Sequence, residues 1–421
     1  MKIAFFTETY LPHLNGVSIS LVFAKKELEK KGHEVYVFAP KIAGYKDSEK
    51  NIIRLSSIRI INSEPEQKLP IPTPQFRKIL NMKFDVIHGH GGGFLSLVGY
   101  QIALTKGYPF VLTYHTYLEK YTHYFFIKSK MITSPIAKNG SRFICNISDI
   151  VIVPSIKMKK ILVKYGVSKK VVVVPNPVNL ERFVKTKKGY LRKLLGIGEA
   201  NIILLTASRL GEEKNIDFLV KSFYEVSKKD LSSVLVIAGE GQEEEKLKYL
   251  VKNLGLESRV YFPGYIDTKF MPKAYSDADI FVFASTTETQ GMVVPEAASC
   301  GLPLVLVQDE AFNGVIKDDF NGYAVSEKPK LFASKVLNLI LDTKKREVFG
   351  KNSAKLVREI FKQEDLIRKL ENVYQEAIMI RKKEPRITSR VQNGVKKFIG
   401  LFRYIKELNR RLNELNEKTR I

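Results

Sequence analysis

Residues Thr286 to Pro303 read TTETQGMVVPEAASCGLP. Directly before them Asp279 to Ser285, DIFVFAS, is a short β-rich apolar run of the kind that forms a strand buried on both faces. The segment therefore reads strand, loop, helix, with Glu288 ahead of a Gln-Gly turn and Glu296, eight positions on, opening an apolar small-residue helix. Such a loop lies at the carboxyl edge of an open α/β sheet, where ligands bind. Gly291 lets the backbone approach a ligand, and N–H groups across Gln290, Met292 and Val293 at the helix start suit hydroxyls or phosphates. One carboxylate is then placed to grip sugar hydroxyls, and the other, further in, to hold a second polyol such as ribose.

The same rhythm extends in both directions. Apolar strands are predicted at Ile3 to Phe6, Glu34 to Phe38, Ile52 to Leu55, Val86 to His88, Phe110 to Thr113, Ile150 to Val153 and Val171 to Val174, with a helix from about Ser18 to Lys31. A second series follows at Ile202 to Ala207, Ser233 to Ala238, Val260 to Phe262, Ile280 to Ala284 and Leu304 to Val307. The fold class is α/β, with two Rossmann-like doubly wound domains assigned to residues 1–183 and 184–363, a helix in 364–380 and a basic tail from 381 to 421. The polar segment Lys185 to Gly198 joins the halves, and the proline-rich stretch Ser63 to Pro74 is a loop.

At 421 residues the chain suits two domains of ordinary size. Cys145 and Cys300 sit far apart in apolar or small-residue settings, which fits free thiols in a reducing compartment. The start, MKIAFFTETY, has too short an apolar run for a signal peptide, and no stretch of 18 apolar residues spans a bilayer. The net charge of +25 is unevenly spread: residues 1–180 carry +15, 181–380 carry +1 and 381–421 carry +9. Basic ends around a neutral middle imply an extended anionic partner, a membrane leaflet or a nucleic acid. In the tail Val391, Val395, Phe398, Phe402, Ile405, Leu408, Leu412 and Leu415 recur at three- and four-residue steps among lysines and arginines, a basic amphipathic helix. Packing on the body, a coiled-coil seam and membrane contact all satisfy that pattern.

Four further stretches carry chemistry. TASRLGEEKN, Thr206 to Asn215, follows a strand and sets Arg209 and Lys214 on a loop, where two cations can neutralise a diphosphate leaving group. Leu14 to Ser18 places Gly16 at a helix start, so that backbone amides there would face phosphate. Thr113 to Tyr124, TYHTYLEKYTHY, puts His115 at a strand end, followed by Tyr117, Lys120, Tyr121, Tyr124 and Phe125. Gly239-Glu240-Gly241 and the run ending in Tyr265 close two later strands. His88 and His90 lack a cysteine or carboxylate to complete a metal set, so they read as strand-end residues and no metal ligand is assigned.

Glu288-x7-Glu296 followed by Gly301-Leu302-Pro303 resembles the signature of the retaining GT-B glycosyltransferases, and Arg209-x4-Lys214 resembles their diphosphate-contacting pair. The Tyr-His-Thr-Tyr run with Thr287 to Gly291 resembles the bacterial diacylglycerol glucosyltransferase branch of that family, and Asn15-Gly16-Val17 its lipid-acceptor members. The resemblance, over residues 1–380, implies two domains facing across a cleft with the last helix crossing back to the first. It implies a nucleotide sugar, UDP-glucose, as co-substrate, a lipid acceptor, 1,2-diacylglycerol, and no cofactor. Arg209 and Lys214 would then stabilise the diphosphate, Glu288 and the 290–292 amides orient the sugar, Glu296 hold the ribose, and Gly239, Glu240 and Tyr265 line the base pocket. His115 would contact the sugar at the reacting site. Tyr117, Lys120, Tyr121, Tyr124, Phe125, Phe398 and Phe402 would face acceptor or membrane, with the protein peripheral on the cytoplasmic face of the cell membrane. Two other readings remain: a polyprenyl-linked or other glycan acceptor, and a nucleic-acid-binding protein, which would explain the charge but leave the donor motifs without a use.

Overall fold

The computed structural model describes residues 1–13, 15–59, 68–70, 79–117, 119 and 130–383. The apolar runs of the first half build one parallel sheet from β1 (Lys2–Thr7), β2 (Glu34–Pro40), β3 (Ile52–Leu55), β6 (Val86–His90), β7 (Phe110–Thr113), β8 (Ile150–Val153) and β9 (Lys170–Val173), in the order β3-β2-β1-β6-β7-β8-β9. Between them β4 (Ser57–Arg59) pairs antiparallel with β5 (Lys68–Pro70), so part of the predicted proline-rich loop is strand. The second half builds β12-β11-β10-β13-β14-β15 from β10 (Ile202–Ala207), β11 (Ser233–Ala238), β12 (Val260–Gly264), β13 (Ile280–Phe283), β14 (Leu304–Val307) and β15 (Gly322–Val325). β15 was not foreseen: GYAV begins with glycine and is only four residues long, too weak a signal to stand alone.

These strands are apolar almost throughout because helices cover both faces of each sheet. In the first sheet Ala4 and Phe6 of β1 point into one core and Ile3 and Phe5 into the other. The strand order reverses between β1 and β6 in one sheet and between β10 and β13 in the other. Strand ends at such a reversal splay their following loops apart and leave a crevice at the carboxyl edge.

The helices are α1 (Gly16–Lys30), α2 (Phe94–Lys106), α3 (Lys130–Asn146), α4 (Ile156–Lys164), α5 (Tyr190–Leu195), α6 (Ile216–Ser227), α7 (Glu244–Asn253), α8 (Met271–Asp277), α9 (Val293–Ser299), α10 (Pro329–Leu341), α11 (Thr343–Ile360) and α12 (Gln363–Lys383). α1 starts two residues before the predicted start because Asn15 caps it, its side chain accepting from the amides of Val17 and Ser18. The polar joining segment contains α5, whose Arg192 is buried and bonds Asp277 at 2.8 Å, with Asp279 at 3.5 Å. Asp277 and Asp279 have the Asp-x-Asp spacing, but they lie at the amino end of β13, away from the cleft, and are occupied by Arg192 and by the Ile203 amide.

α12 returns to the first sheet as expected. Its Ile367, Leu370, Val373, Tyr374 and Ala377 join the core beneath β1. Glu371 bonds Lys31 at 2.6 Å and His33 at 2.8 Å, and Arg381 donates to the Tyr108 carbonyl at 3.0 Å. No helix among the described residues is long and apolar enough to cross a membrane.

Candidate active site

At the second sheet's reversal, the loop after β10 carries Arg209 and Lys214, and the loop after β13 carries Glu288. Adjacent parallel strands bring these loops together, and Lys214 Nζ donates to Glu288 Oε1 at 2.6 Å with both side chains about one-seventh exposed. Burial alone would lift the Glu288 carboxyl, but Lys214, with Ser285 and Lys157, holds it below the usual carboxylate range. Arg209 Nη2 bonds Glu213 Oε1 at 2.9 Å, Glu213 being almost fully buried while the guanidinium stays largely open to the cleft. Glu213 was not anticipated. The signal was its place four residues beyond Arg209; its carboxylate lies against Gly211, where an added Cβ would fall 2.4 Å from Oε2.

Further along, Glu296 on α9 accepts from Tyr275 Oη at 3.2 Å. Burial lifts its carboxyl to about 7, against which Tyr275 and Arg182 pull downward. Gly239 has φ +136°, and a side chain there would collide with the Ser208 carbonyl; one at Gly241 would meet Leu210 O. The loops after β10 and β11 thus press together only because these positions are glycine. Glu240 Oε1 accepts the Tyr265 amide at 3.2 Å, so the two stretches assigned to a base pocket are neighbours. Gly291 has φ +66° and packs against Phe312, where an added Cβ would lie 2.6 Å from Cε1.

The amides expected to face the sugar are backbone groups, and the Gln290 side chain has a separate use: Oε1 accepts the Asn176 amide at 2.7 Å and Nε2 donates to the Asn176 carbonyl at 3.1 Å. It therefore ties the second sheet's loop to the chain leaving the first sheet. Two of the first amides of α1, those of Val17 and Ser18, are taken by Asn15 rather than offered to phosphate. A Cβ at Gly16 would make an ordinary van der Waals contact, 3.6 Å from Met292 Cγ across the cleft.

Cations on α4 reinforce the junction. Lys157 Nζ bonds Asp309 at 2.5 Å and the Thr286 carbonyl at 2.8 Å, and Lys160 bonds Glu310 at 2.8 Å. Tyr117, packed against the first core, lies beneath the Lys157 ammonium, 5.9 Å from ring centroid to nitrogen. Lys120, Tyr121, Tyr124, Phe125, Phe398 and Phe402 lie outside the described residues.

The first sheet's edge carries buried histidines and a carboxyl lifted by burial. His115, just past β7, is buried, and burial draws its imidazole down to about 4, the Asn176 side chain offsetting part of the effect. His88 and His90 at the end of β6 are drawn well below the ordinary value, also by burial. Glu8, past β1, is lifted to about 7 by burial and accepts the Leu95 amide at 2.6 Å, bridging β1 to the start of α2 across the reversal. No group of histidines, cysteines and carboxylates among the described residues is arranged to hold a metal ion.

This geometry, cations and carboxylates at one reversal facing a glycine-led helix at the other, has close relatives. Residues 14–182 match the model of Glycosyltransferase Family 4, and residues 188–356 that of Glycosyl transferases group 1. An alpha-monoglucosyldiacylglycerol synthase from Streptococcus pneumoniae is 33% identical over 334 residues, covering 76% of this chain and 74% of the relative. The chain is a family 4 glycosyltransferase. A second relative of the glycosyltransferase, the alpha-monoglucosyldiacylglycerol synthase of Acholeplasma laidlawii, is 28% identical over 83% of this chain and 90% of its own length. The fold is the GT-B arrangement of two facing α/β domains. Anabaena HepE, solved with UDP and glucose, superposes on the glycosyltransferase with TM-score 0.73 and 18% identity over 89% of this chain and 100% of its own. Sucrose-phosphate synthase from Thermosynechococcus elongatus does so with TM-score 0.72 and 19% identity, covering 89% of this chain and 98% of its own.

Proposed function

We propose that this glycosyltransferase moves glucose from UDP-glucose to 1,2-diacylglycerol with retention, giving an α-glucosyl lipid. The observation that carries the donor half is the Lys214–Glu288 pair at the second sheet's reversal, with Arg209 alongside. A diphosphate entering there exchanges one carboxylate partner for its own oxygens, and Lys214 is already largely desolvated and aimed. Glu288, released, takes a sugar hydroxyl, and Glu296 takes the ribose. The bond from the anomeric carbon to the diphosphate breaks while the acceptor oxygen bonds that carbon on the same face. The acceptor proton passes to the departing phosphate oxygen. The enzyme needs neither nucleophile, metal nor cofactor for this, because Arg209 and Lys214 supply the positive charge.

Glucose and a diacylglycerol acceptor are supported by the two relatives that are alpha-monoglucosyldiacylglycerol synthases, and UDP by the HepE complex. The charge distribution supports an anionic membrane as the place of work: the basic first domain and the basic tail would lie on the acceptor side, at the cytoplasmic face, with the neutral second domain away from it. The test is incubation of the purified protein with radiolabelled UDP-glucose and anionic vesicles containing diacylglycerol, with and without chelator. Label in the lipid phase that needs diacylglycerol and survives the chelator is the expected result. UDP release without lipid label moves the acceptor to another molecule, and neither label nor UDP removes UDP-glucose as donor.

A further inference from the structure

Lys157 is the second residue of α4, a helix capped by Ser155, whose side chain accepts the Met158 amide. A cation in a first helical turn opposes the helix dipole, so the helix itself does not favour a lysine there. The side chain is nonetheless only 12% exposed, and its ammonium is used in the other domain. It donates to the Thr286 carbonyl at 2.8 Å and to Asp309 Oδ2, the Asp309 side chain being 5% exposed. These acceptors follow β13 and β14, so one side chain of the first domain holds two neighbouring loops of the second. Lys160, three residues on, pairs with Glu310 at the surface, with both side chains about half exposed.

The two acceptors of Lys157 differ in what they can do for the site. Thr286 lies two residues before Glu288. On either side of it Ser285 Oγ and Thr287 Oγ1 donate to the Glu213 carbonyl at 3.2 and 3.3 Å, and Glu213 directly precedes Lys214. The approach to Glu288 is thus held within its own domain by two neutral hydroxyls through long hydrogen bonds, and from the other domain by an ammonium through a shorter one. A charge-assisted bond is the stronger kind. Asp309 has a different part: burial lifts its carboxyl, Lys157 offsets some of that rise, and its other oxygen accepts the Ala311 amide at 2.7 Å. Asp309 neutralises the ammonium, whereas the Thr286 carbonyl passes its hold to the loop. We infer that Lys157 is a positioning residue of the transfer reaction: from the first domain it holds the Thr286 carbonyl and so sets the Glu288 loop of the second domain against Lys214. That the loop then serves a sugar nucleotide rests on the function proposed above; the tie itself does not.

The test uses the full chain without ligand, followed by hydrogen exchange and mass spectrometry. Lys157→Met should raise exchange across residues 285–290 about tenfold, because one charge-assisted bond is lost. In turnover of UDP-glucose its kcat should fall about tenfold while the KM for UDP-glucose moves less than about threefold, since Lys157 acts through the loop. Lys157→Arg, which keeps the charge and the N–H donors, should bring both readouts back to within about threefold of the wild type. Asp309→Asn keeps an oxygen for the ammonium and one side chain for the Ala311 amide, and should hold both within about threefold. Lys160→Met, which removes the neighbouring cross-domain pair, should hold both within about twofold. Unchanged exchange in Lys157→Met overturns the inference. So does a loss in Asp309→Asn as large as in Lys157→Met, which would reduce Lys157 to one half of a cross-domain ion pair. Should Lys157→Met not fold, Lys157→Gln, whose amide falls short of the place of the ammonium, is read against Asp309→Asn in its stead. Absence of UDP-glucose turnover in the wild type would sink the proposed donor alone, since the exchange measurement needs no substrate.

Discussion

Along the second sheet's carboxyl edge the polar groups are charged and paired, Arg209 with Glu213 and Lys214 with Glu288. Along the first sheet's edge they are imidazoles kept neutral by burial, together with Glu8, whose carboxyl is lifted to about 7. The two edges are formed by the same kind of strand reversal, so topology does not account for the difference. What differs is the depth of the polar side chain and the nearness of a counter-ion. An edge of paired ions is suited to receiving and releasing charge, because an incoming anion replaces an internal one at little desolvation cost. A neutral edge is suited to orienting, because hydrogen bonds there have direction and no long-range pull.

The comparison is broken most severely by removing charge from the second edge. Lys214→Ala is expected to lower UDP-glucose turnover about 10²- to 10³-fold while vesicle cosedimentation stays within about twofold. Equal losses in both would show that the lysine serves the fold or the membrane and not the diphosphate.

The carboxylates allow a pH test of burial. Glu296 is lifted from its ordinary 4.5 to about 7, so the folded chain keeps a proton there that the unfolded chain releases at lower pH. Its contribution is fully present below about pH 4.5 and is lost as the pH rises through about 7. Glu296→Gln, which mimics the protonated form, should match the wild type near pH 4 and exceed it by roughly 2–3 kcal/mol near pH 8 in urea melts. Parallel curves for the two proteins would mean that Glu296 is solvated in the free enzyme.

Glu288→Gln keeps shape and one hydrogen bond but removes the charge. Turnover should fall roughly 10- to 100-fold. If the carboxylate mainly grips a sugar hydroxyl, the KM for UDP-glucose should rise with it. A fall in kcat alone would shift the role of Glu288 toward holding Lys214. The smallest effect is expected at the join between the edges. Gln290→Ala removes two hydrogen bonds to Asn176 and should reduce turnover about threefold to tenfold, with a larger radius of gyration by small-angle scattering. Unchanged scattering with lost activity would give the Gln290 side chain a part in binding the ligand and not in joining the two sheets.

Much of this was legible in the chain. Strands such as Phe110–Thr113 and Ser233–Ala238 are bounded in the structure as their apolar runs predict, because burial on both faces favours an unbroken apolar run. The last helix was also readable, since its apolar positions repeat with helical spacing. The weak β15, the β4–β5 pair and α5 were not. Each is short, and α5 is held by a partner distant in sequence, Arg192 by Asp277.

Composition and order along the chain thus determined two α/β units, an uneven charge and a set of loop residues at strand ends. Backbone periodicity and hydrophobic burial are local in sequence and need no knowledge of the partner strand. Only the tertiary structure decided which loops meet. It paired Lys214 with Glu288 across 74 positions, bonded the Gln290 side chain to Asn176 across 114, and seated Tyr374 against His88 across 286. Hydrogen bonds and ion pairs act over a few ångströms of space, and nothing in the linear order of residues states which groups folding will bring within that reach.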